Sequence, residues 1–230
     1  MTLLNMPPKG QSLVDSVCER ILDILHSRGL AGPETLSVAG LAEELGVSRT
    51  PVNMALVRLE SAGLVQRYAG KGWTTTPLSL EDIEGIFDLK DLLEPFAARR
   101  AAERVTPEGT AELLGSVDAM EAASEAGDLA GWVEADRRYH ALLHELAGNR
   151  RLRQFQEQLN NQLYRLECGH LTMEGRMAVA CQEHRRIAEA VAAGEADLAA
   201  RQARAHVQAL RTSIVDVVEN VLMPFLGREL

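Results

Sequence analysis

Apolar residues recur every three to four positions over most of the chain, which is the period of an amphipathic α-helix. The first such stretch covers residues 13–25 and stops before a Gly-Pro pair. Ser37 precedes a second, short stretch that ends at Gly46, and Ser48 precedes a third over Pro51–Gly63. Because Ser favours the N-cap and Gly and Pro end helices, the pattern predicts three consecutive helices.

The period changes after the third helix. The segments "LVQRY" and "WTTTP" are short and β-prone and lie on either side of "AGKG", which is typical of a hairpin. Three helices followed by a hairpin predict a winged helix-turn-helix. The segment from Pro77 to Ser79 resembles a linker, so we expect a first domain over residues 1–77 and a second over residues 78–230.

The second domain has helical periods and almost no strand signal. The predicted helices cover residues 80–104, 107–126, 128–147, 150–167, 172–193 and 195–222. The low aromatic content of 4% also suits helices packed on helices better than sheets. The expected fold class is therefore mainly α, with an N-terminal winged helix-turn-helix and a C-terminal antiparallel all-helical bundle.

Net charge separates the two predicted domains. The chain carries a formal charge of −9, but residues 1–77 contain seven basic and seven acidic side chains, so the whole excess lies in residues 78–230. A neutral first domain and an acidic second domain indicate different partners. The amino terminus lacks a signal-peptide pattern and no run of roughly 18 apolar residues occurs, so we expect a cytoplasmic protein with no membrane partner.

The third predicted helix is a candidate for insertion into a DNA groove. Its first turn carries short hydrogen-bonding side chains and an Arg in front of apolar residues, as a recognition helix requires. No Asp or Glu occurs from Gly46 to Leu59, so no carboxylate in this stretch repels phosphate. The candidate DNA-binding residues are Ser48, Arg49, Thr50, Asn53, Arg58, Lys71 and Gly72. The alternative interpretation is an ordinary capped helix with a solvated polar face.

Residues 13–76 resemble the DNA-binding domain of the GntR family of bacterial transcription regulators, through "LAEELGVSRTPV", "ALVRLESAGLV" and "GKG". The resemblance implies that Arg49 contacts guanine or phosphate. It also implies that Ser48 and Thr50 contact the DNA backbone and that Gly70 shapes the wing.

The sequence departs from this family in the middle of the candidate recognition helix. The family usually continues Val-Arg-Glu-Ala-Leu, whereas residues 52–56 of this chain are "VNMAL". Asn pairs in a bidentate manner with adenine, whereas Arg prefers guanine, so Asn53 predicts an operator half-site with a shifted sequence. One short recognition helix gives modest affinity, so we expect a homodimer on a pseudo-palindromic double-stranded operator.

Titratable side chains lie on apolar stripes of three helices in the second domain. At 100° per residue, Asp136 and His140 share one stripe, and His184 and His206 each lie on another. Burial of an unpaired charge or imidazole is costly, and a shared cation would satisfy all four groups. One carboxylate and three imidazoles suit Zn, Ni, Fe or Mn. For each His taken singly, the alternative is a core histidine satisfied by a hydrogen bond.

Residues 82–210 resemble the FCD effector domain of the FadR-like branch of the same family. The matching stretches are "LLEPFAARRAA", "WVEADRRYHALLHELAGN" and "EHRRIAEAVAAGEADLAARQARAHV". Many members bind a metal through one Asp and three His, which fall on Asp136, His140, His184 and His206. The resemblance also implies that the ion and nearby cationic groups hold the carboxylate of a small organic acid.

Two further residues are candidates for contact with that acid. A frequent Arg of the family falls on Lys90, whose point charge does not reproduce the bidentate grip of a guanidinium. Ser213 follows His206 by two helical turns. The alternatives are a solvated Lys90 and a Ser213 that fills the core. His144 lies at the edge of the Asp136 stripe, where we expect a supporting or surface position.

These patterns predict a ligand-responsive transcription regulator, and the commoner family arrangement is a repressor that its small-molecule effector releases from DNA. The first alternative is a constitutive DNA-binding regulator with a structural metal. The second is a metal-dependent enzyme. No nucleophile, second carboxylate pair or cofactor loop accompanies the metal set, so we expect no enzymatic activity.

Overall fold

The computed structural model describes residues 12–27, 35–68, 72–76, 79–171 and 175–219, except for the side chains of residues 26, 27 and 164–171. The chain divides into two compact units, Met1–Leu78 and Ser79–Leu230, one residue beyond the predicted boundary. Within the described ranges, no helix has the length and apolar character needed to cross a membrane.

The first unit combines three helices with a small sheet. Its elements are α1 (Leu13–Ser27), β1 (Thr35–Leu36), α2 (Val38–Leu45), α3 (Arg49–Ser61), β2 (Val65–Tyr68) and β3 (Gly72–Thr75). β3 is the central strand and pairs antiparallel with both β1 and β2. These elements confirm the predicted winged helix-turn-helix. The prediction missed β1 because two residues are too few to show an alternating pattern.

Local sequence explains where α2 and α3 begin and end. The Ser37 hydroxyl accepts a hydrogen bond from the Gly40 N–H at 3.2 Å, which caps α2. Gly46 ends α2 with a φ of 67°, a left-handed conformation that favours glycine. Ser48 occupies the N-cap position of α3, but its side chain makes no capping hydrogen bond. The Ser48 hydroxyl is therefore not committed to the helix that follows it.

The core of the first unit forms where α1, α2, α3 and the sheet meet. It contains Val17 and Ile21 from α1, Leu41 from α2, Leu56 from α3 and Trp73 from β3. Burial of these large apolar side chains stabilises the unit and fixes which face of α3 packs inward. The opposite face of α3 points to solvent.

The second unit consists of helices throughout its described part. They are α4 (Leu80–Arg104), α5 (Pro107–Ala126), α6 (Leu129–Leu146), α7 (Arg150–Leu171), α8 (Arg176–Ala192) and α9 (Ala196–Val217). These helices confirm the predicted all-helical bundle, and α4 and α5 have the predicted bounds. The parts of the last two predicted helices at 172–174 and 220–222 lie outside the described residues.

Small side chains allow the helices of the second unit to approach closely. Ala98 and Ala101 of α4 and Ala199 and Ala203 of α9 are buried in one core, which also contains Tyr139 of α6. Because Ala has no side chain beyond Cβ, the helices lie close together. Polar side chains on facing helices therefore come within contact distance. The packing therefore brings the inner faces of α6, α8 and α9 together.

Candidate functional site

The face of α3 that points away from the core carries the predicted DNA-binding side chains. The packing face is buried and consists of Pro51, Val52, Ala55, Leu56 and Leu59. The polar side chains Arg49, Thr50, Asn53 and Arg58 are exposed, and Ser48 is exposed immediately before the helix. The fold thus leaves all five predicted residues of this stretch accessible to a partner.

Two of these side chains are engaged within the protein. The Asn53 amide nitrogen donates to the Arg49 carbonyl oxygen at 3.1 Å, and Arg58 forms an ion pair with Asp15 of α1. Hydrogen bonds from Ser12 and Arg58 lower the pKa of the Asp15 carboxyl group. Exposed ion pairs contribute little to stability, so Arg58 can exchange Asp15 for a DNA phosphate at small cost.

The hairpin carries a cationic side chain close to its tip. The Arg67 guanidinium carbon lies 4.5 Å from the centroid of the Trp73 ring, a cation–π contact that orders Arg67 across β2 and β3. Gly72 has a φ of 97°, so a residue with a side chain would be strained there. Lys71 and Gly70 lie outside the described residues, and their roles in DNA binding stay predictions.

Three helices of the second unit bring the predicted metal ligands together. Asp136 and His140 lie one turn apart on α6, His184 lies on α8, and His206 lies on α9. Asp136 Oδ1 is 3.3 Å from His184 Nε2 and 3.7 Å from His140 Nε2, and these two nitrogens are 3.4 Å apart. One ring nitrogen from each of the three His residues lies within 4.8 Å of the other two. The structure therefore gathers the four predicted side chains at one place.

His184 is at the centre of this cluster and is 1% exposed. Its Nδ1 is 2.8 Å from the Ala180 carbonyl oxygen, which can only accept, so Nδ1 carries the proton. Burial is the main cause that lowers the pKa of His184 to about 3, so the ring is neutral and Nε2 presents a lone pair. That lone pair faces Asp136 Oδ1 and His140 Nε2.

The facing acceptor atoms of this cluster suit a cation between them. The Asp136 carboxylate and the His184 Nε2 lone pair are both acceptors, and they face each other at 3.3 Å. Burial also lowers the pKa of His140 well below its ordinary value, so this ring is neutral as well. One carboxylate and neutral imidazoles are ligands that divalent transition metals prefer. The residues present thus fit the metal that the sequence predicts.

His206 is oriented by a carboxylate that the sequence did not predict. Its Nδ1 donates to Glu183 Oε2 at 2.8 Å, and Arg176 Nη2 lies 3.5 Å from the same oxygen. A carboxylate on Nδ1 fixes the tautomer and leaves Nε2 with its lone pair for a metal. The only sequence signal for Glu183 was its position beside His184, and an acidic residue on a helix is too common for that signal to single it out.

A second group of buried polar side chains borders the first. Glu94 and His144 are buried, and Glu94 Oε2 lies 3.8 Å from His144 Nε2. Lys90 Nζ lies 2.5 Å from Asn160 Oδ1 and 3.6 Å from Glu94 Oε1. Burial alone would raise the pKa of Glu94, but His144 and the Lys90 charge hold it well below its ordinary value. The Lys90 ammonium group already compensates the charge of the Glu94 carboxylate. Lys90 would therefore repel a metal ion placed between Glu94 and His140.

These contacts correct two sequence-based alternatives. Lys90 is only 4% exposed, so the interpretation as a solvated side chain is wrong, because it lies on the inner face of α4 and contacts α7. His144 is 2% exposed, so a surface position is wrong too. The supporting role of His144 stays a prediction.

A cavity of about 280 Å³ adjoins both groups. One side of its lining consists of the four predicted metal ligands, Asp136, His140, His184 and His206. Other polar groups in the lining are Lys90, Arg137, His144, Glu157, Asn160, Asn161 and Arg176. This volume is close to the lower end of the range for small-molecule binding pockets, which begins at about 300 Å³.

Ser213 is not among the residues that line this cavity, so its contact with a ligand stays a prediction. It follows His206 by seven residues, or roughly 10 Å along a helix at 1.5 Å per residue. Among the described residues of α9, Leu210 is the last that lines the cavity. The cavity therefore ends about one helical turn before Ser213.

Family comparisons agree with both units. The sequence model of the FCD domain matches residues 85–209, more than half of the chain, and that of the bacterial regulatory proteins of the gntR family matches residues 13–74. The chain belongs to the gntR family. It is a DNA-binding transcriptional regulator of the gntR and FCD type, and this membership identifies a regulator and not an enzyme.

Several relatives of this gntR-family regulator carry names of the same kind. One relative is an HTH-type transcriptional regulator of the TAR-I ttuE-ttuC' intergenic region of Agrobacterium vitis, which is 43% identical over 106 residues. The match covers 45% of this chain and 62% of that protein, which is less than two thirds of its length. YdhC of Bacillus subtilis, an HTH-type transcriptional regulator, is 26% identical over 174 residues, or 75% of this chain and 78% of that protein. A "Probable D-xylose utilization operon transcriptional repressor" of Paenarthrobacter nicotinovorans is 27% identical over 169 residues, or 74% of each chain.

Solved structures share the fold of this gntR-family regulator. The structure of McbR/YncC of E. coli superimposes with a TM-score of 0.81 at 23% identity and covers 91% of this chain and 100% of its own. A GntR regulator of Rhodococcus sp. RHA1 gives a TM-score of 0.73 at 18% identity, with 89% and 98% covered. At such identities the agreement extends to the fold alone.

The metal-free gntR-family regulator is expected to lose stability as the pH falls from 6.5 toward 3. His184 has a pKa of about 3 in the folded chain and an ordinary value of 6.5 when unfolded. The unfolded state therefore binds more protons in this range, so the free energy of unfolding rises with pH. At pH 5 His184 alone contributes a loss of about 2 kcal/mol, because one pKa unit corresponds to about 1.4 kcal/mol. Urea unfolding of chelated protein at pH 7.5 and 5, followed by circular dichroism, measures this loss.

The matched control for this pH dependence is His184→Gln. The substitution removes the titrating ring and leaves every carboxylate in place, so it should shrink the difference between the two pH values by about the same amount. An undiminished difference in the variant would mean that His184 is not held neutral by burial.

Proposed function

We propose that this regulator senses a small organic acid at a divalent metal bound by Asp136, His140, His184 and His206. In this proposal a homodimer represses transcription from a pseudo-palindromic operator until the acid binds. The observation that carries the proposal is the pair of facing acceptors, Asp136 Oδ1 and His184 Nε2, in the wall of a cavity. The name of the repressor from Paenarthrobacter nicotinovorans supports repression as the polarity.

The charges around the cavity favour a monoanion as the effector. Three cations and two carboxylates line it: Lys90, Arg137, Arg176, Asp136 and Glu157. Glu94 lies beside Lys90 and Glu183 beside Arg176. Counted without the imidazoles, these described side chains carry one net negative charge. A divalent ion changes this to one net positive charge, which one carboxylate neutralises. A second carboxylate would be buried without compensation.

The side chains opposite the metal cluster suit a neutral polar group on the same acid. When bound, the ion supplies a Lewis-acid site for a carboxylate oxygen. Lys90, Asn160, Asn161 and His144 offer hydrogen-bond donors and acceptors elsewhere in the lining. An acid that carries a hydroxyl or keto group therefore forms more hydrogen bonds with the lining than an acid with an alkyl chain alone.

α4 provides a route from the cavity toward the boundary between the two units. Lys90 and Glu94 lie on α4, whose first turn is fixed by a capping box between Ser79 and Asp82. An effector that displaces Lys90 from Asn160 shifts the packing of α4 against α7. In the proposal this shift changes the separation of the two DNA-binding units, with a coupling of about 1–3 kcal/mol, or roughly 5- to 150-fold in operator affinity.

A thermal-shift experiment on zinc-loaded and chelated full-length protein tests the proposal. We expect 2-hydroxybutyrate to stabilise the zinc-loaded protein, because a ligand at 100 times its Kd adds about 2.7 kcal/mol. For a chain of this length that is a rise in Tm of about 5–10 °C. Malate, in which a carboxylate replaces the terminal methyl group, is the matched control and should stabilise less.

Three results would count against the sensor. Equal stabilisation of chelated and zinc-loaded protein would mean that the metal is not part of the ligand site. No stabilisation by any small hydroxy or keto acid would favour the structural metal of a constitutive regulator. Stronger stabilisation by malate than by 2-hydroxybutyrate would contradict the charge balance of the cavity.

A further inference from the structure

α3 exposes two apolar side chains on its DNA-binding face. Met54 is 54% exposed and Val57 is 43% exposed, whereas the other apolar residues of the helix are buried. A single exposed apolar residue is ordinary, but these two are three positions apart and therefore neighbours on the helix surface. Neither packs in the core, so the fold of the first unit does not account for them.

The exposed face of α3 has an ordered arrangement from one edge to the other. At 100° per residue, the exposed side chains of the first ten residues of α3 follow one another across the face in the order Arg49, Asn53, Val57, Thr50, Met54 and Arg58. The two cations therefore lie at the edges. The centre combines an amide, a hydroxyl with its methyl group and two apolar side chains. At its edge, Arg58 is held by Asp15 of α1.

This arrangement matches the cross-section of the DNA major groove. Phosphates form the rims of the groove, where a guanidinium binds them, and base edges form its floor. The apolar group on that floor is the C5-methyl group of thymine. A helix with cations at its edges and apolar side chains at its centre therefore fits a floor that contains thymine methyl groups.

We propose that Met54 and Val57 read thymine C5-methyl groups in each operator half-site. The inference rests on the proposed entry of α3 into the major groove and specifies what its centre recognises. Asn53, next to Val57 on the face, pairs with an adjacent adenine after its amide leaves the Arg49 carbonyl oxygen. The centre of the half-site is consequently made of A·T pairs, and guanine contacts are confined to the side of Arg49.

Uracil substitution tests this inference at single-methyl resolution. Full-length protein is first used to select duplexes from a library with a random core. Each thymine of the selected half-site is then replaced by uracil, which removes the methyl group and keeps the hydrogen-bonding edge. We expect about a fourfold loss of affinity per contacted methyl group in fluorescence anisotropy, the size expected for one buried carbon group.

Variants assign the effect to the two side chains. Met54→Gln and Val57→Thr replace apolar groups by polar groups of similar size on an exposed helix face, so the fold is preserved. In each variant, one of the thymine-to-uracil losses should disappear, whereas Met54→Leu should keep it. Such a double-mutant cycle isolates the contact between one side chain and one methyl group.

The outcomes separate failure of this inference from failure of the proposed operator binding. Selection of no duplex would contradict entry of α3 into DNA. Selection of a duplex that shows no thymine-to-uracil loss, or the same losses in Met54→Gln and Val57→Thr as in the unsubstituted protein, would overturn the inference. In that case Met54 and Val57 would be assigned to a contact with another protein.

Discussion

Replacement of Asp136 or His184 by Ala is expected to abolish metal binding while operator binding persists. The two side chains lie on different helices, α6 and α8, and their facing acceptor atoms are 3.3 Å apart at the centre of the cluster. Loss of a group that only orients a metal ligand costs about 10- to 100-fold in metal affinity, and loss of a ligand should cost more. Metal analysis after dialysis and anisotropy with a selected duplex measure the two properties separately.

Asp136→Asn and Asp118→Ala complete this experiment. Asp136→Asn keeps the shape of the side chain and removes the charge, so it should lose metal without opening a cavity. Asp118 is exposed and pairs with Arg185, which also pairs with Glu121, so Asp118→Ala should retain metal. Unchanged metal content in Asp136→Asn and His184→Ala would overturn the metal centre. Loss of metal from Asp118→Ala as well would point to general destabilisation.

Asn53→Arg is expected to change the preferred operator base from adenine to guanine at one position of each half-site. Asn53 is exposed on α3 and its amide bonds only to the Arg49 carbonyl oxygen one turn away, so Arg is accommodated without repacking. A bidentate contact discriminates by about 1–3 kcal/mol, or roughly 5- to 150-fold per half-site. Selection from a random library with each protein, read by sequencing, measures the shift.

Asn53→Ala is the control for this change of specificity. It removes the amide without adding a guanidinium, so the preference should weaken at the same position and no guanine should replace adenine. The same preferred sequence for Asn53→Arg and the unsubstituted protein would mean that Asn53 does not contact a base. A shift at a different position would mean that α3 lies in another register in the groove.

The winged helix-turn-helix and the bundle were predictable because their signals are local. Helical period, Ser at N-caps and Gly at helix ends are set by neighbours in sequence, which is why α4 and α5 have the predicted bounds. The same period selected the face of α3 that exposes Arg49 and Asn53. β1 was missed because its pairing with β3 joins residues far apart in sequence.

The metal cluster was also indicated by the sequence, one helix at a time. The apolar stripes placed Asp136, His140, His184 and His206 on inner faces, since a helical period reports which side of a helix is buried. An apolar stripe does not show which other helix its face packs against, or at which position along that helix. For that reason the sequence selected four residues correctly as neighbours but could not give the 3.3 Å contact between Asp136 and His184.

Tertiary structure alone decided the surroundings of that cluster. Glu183 behind His206, the buried pair of Lys90 and Glu94, and the end of the cavity before Ser213 all depend on how far one helix is displaced along another. Displacement along a helix axis leaves the period of each sequence unchanged, so no pattern within one helix encodes it. The amino-acid sequence by itself identified a candidate DNA-reading helix and a candidate set of metal ligands for this regulator. Packing of Ala-rich helices decided which charges surround the cavity, because those charges come from different helices and meet only after folding.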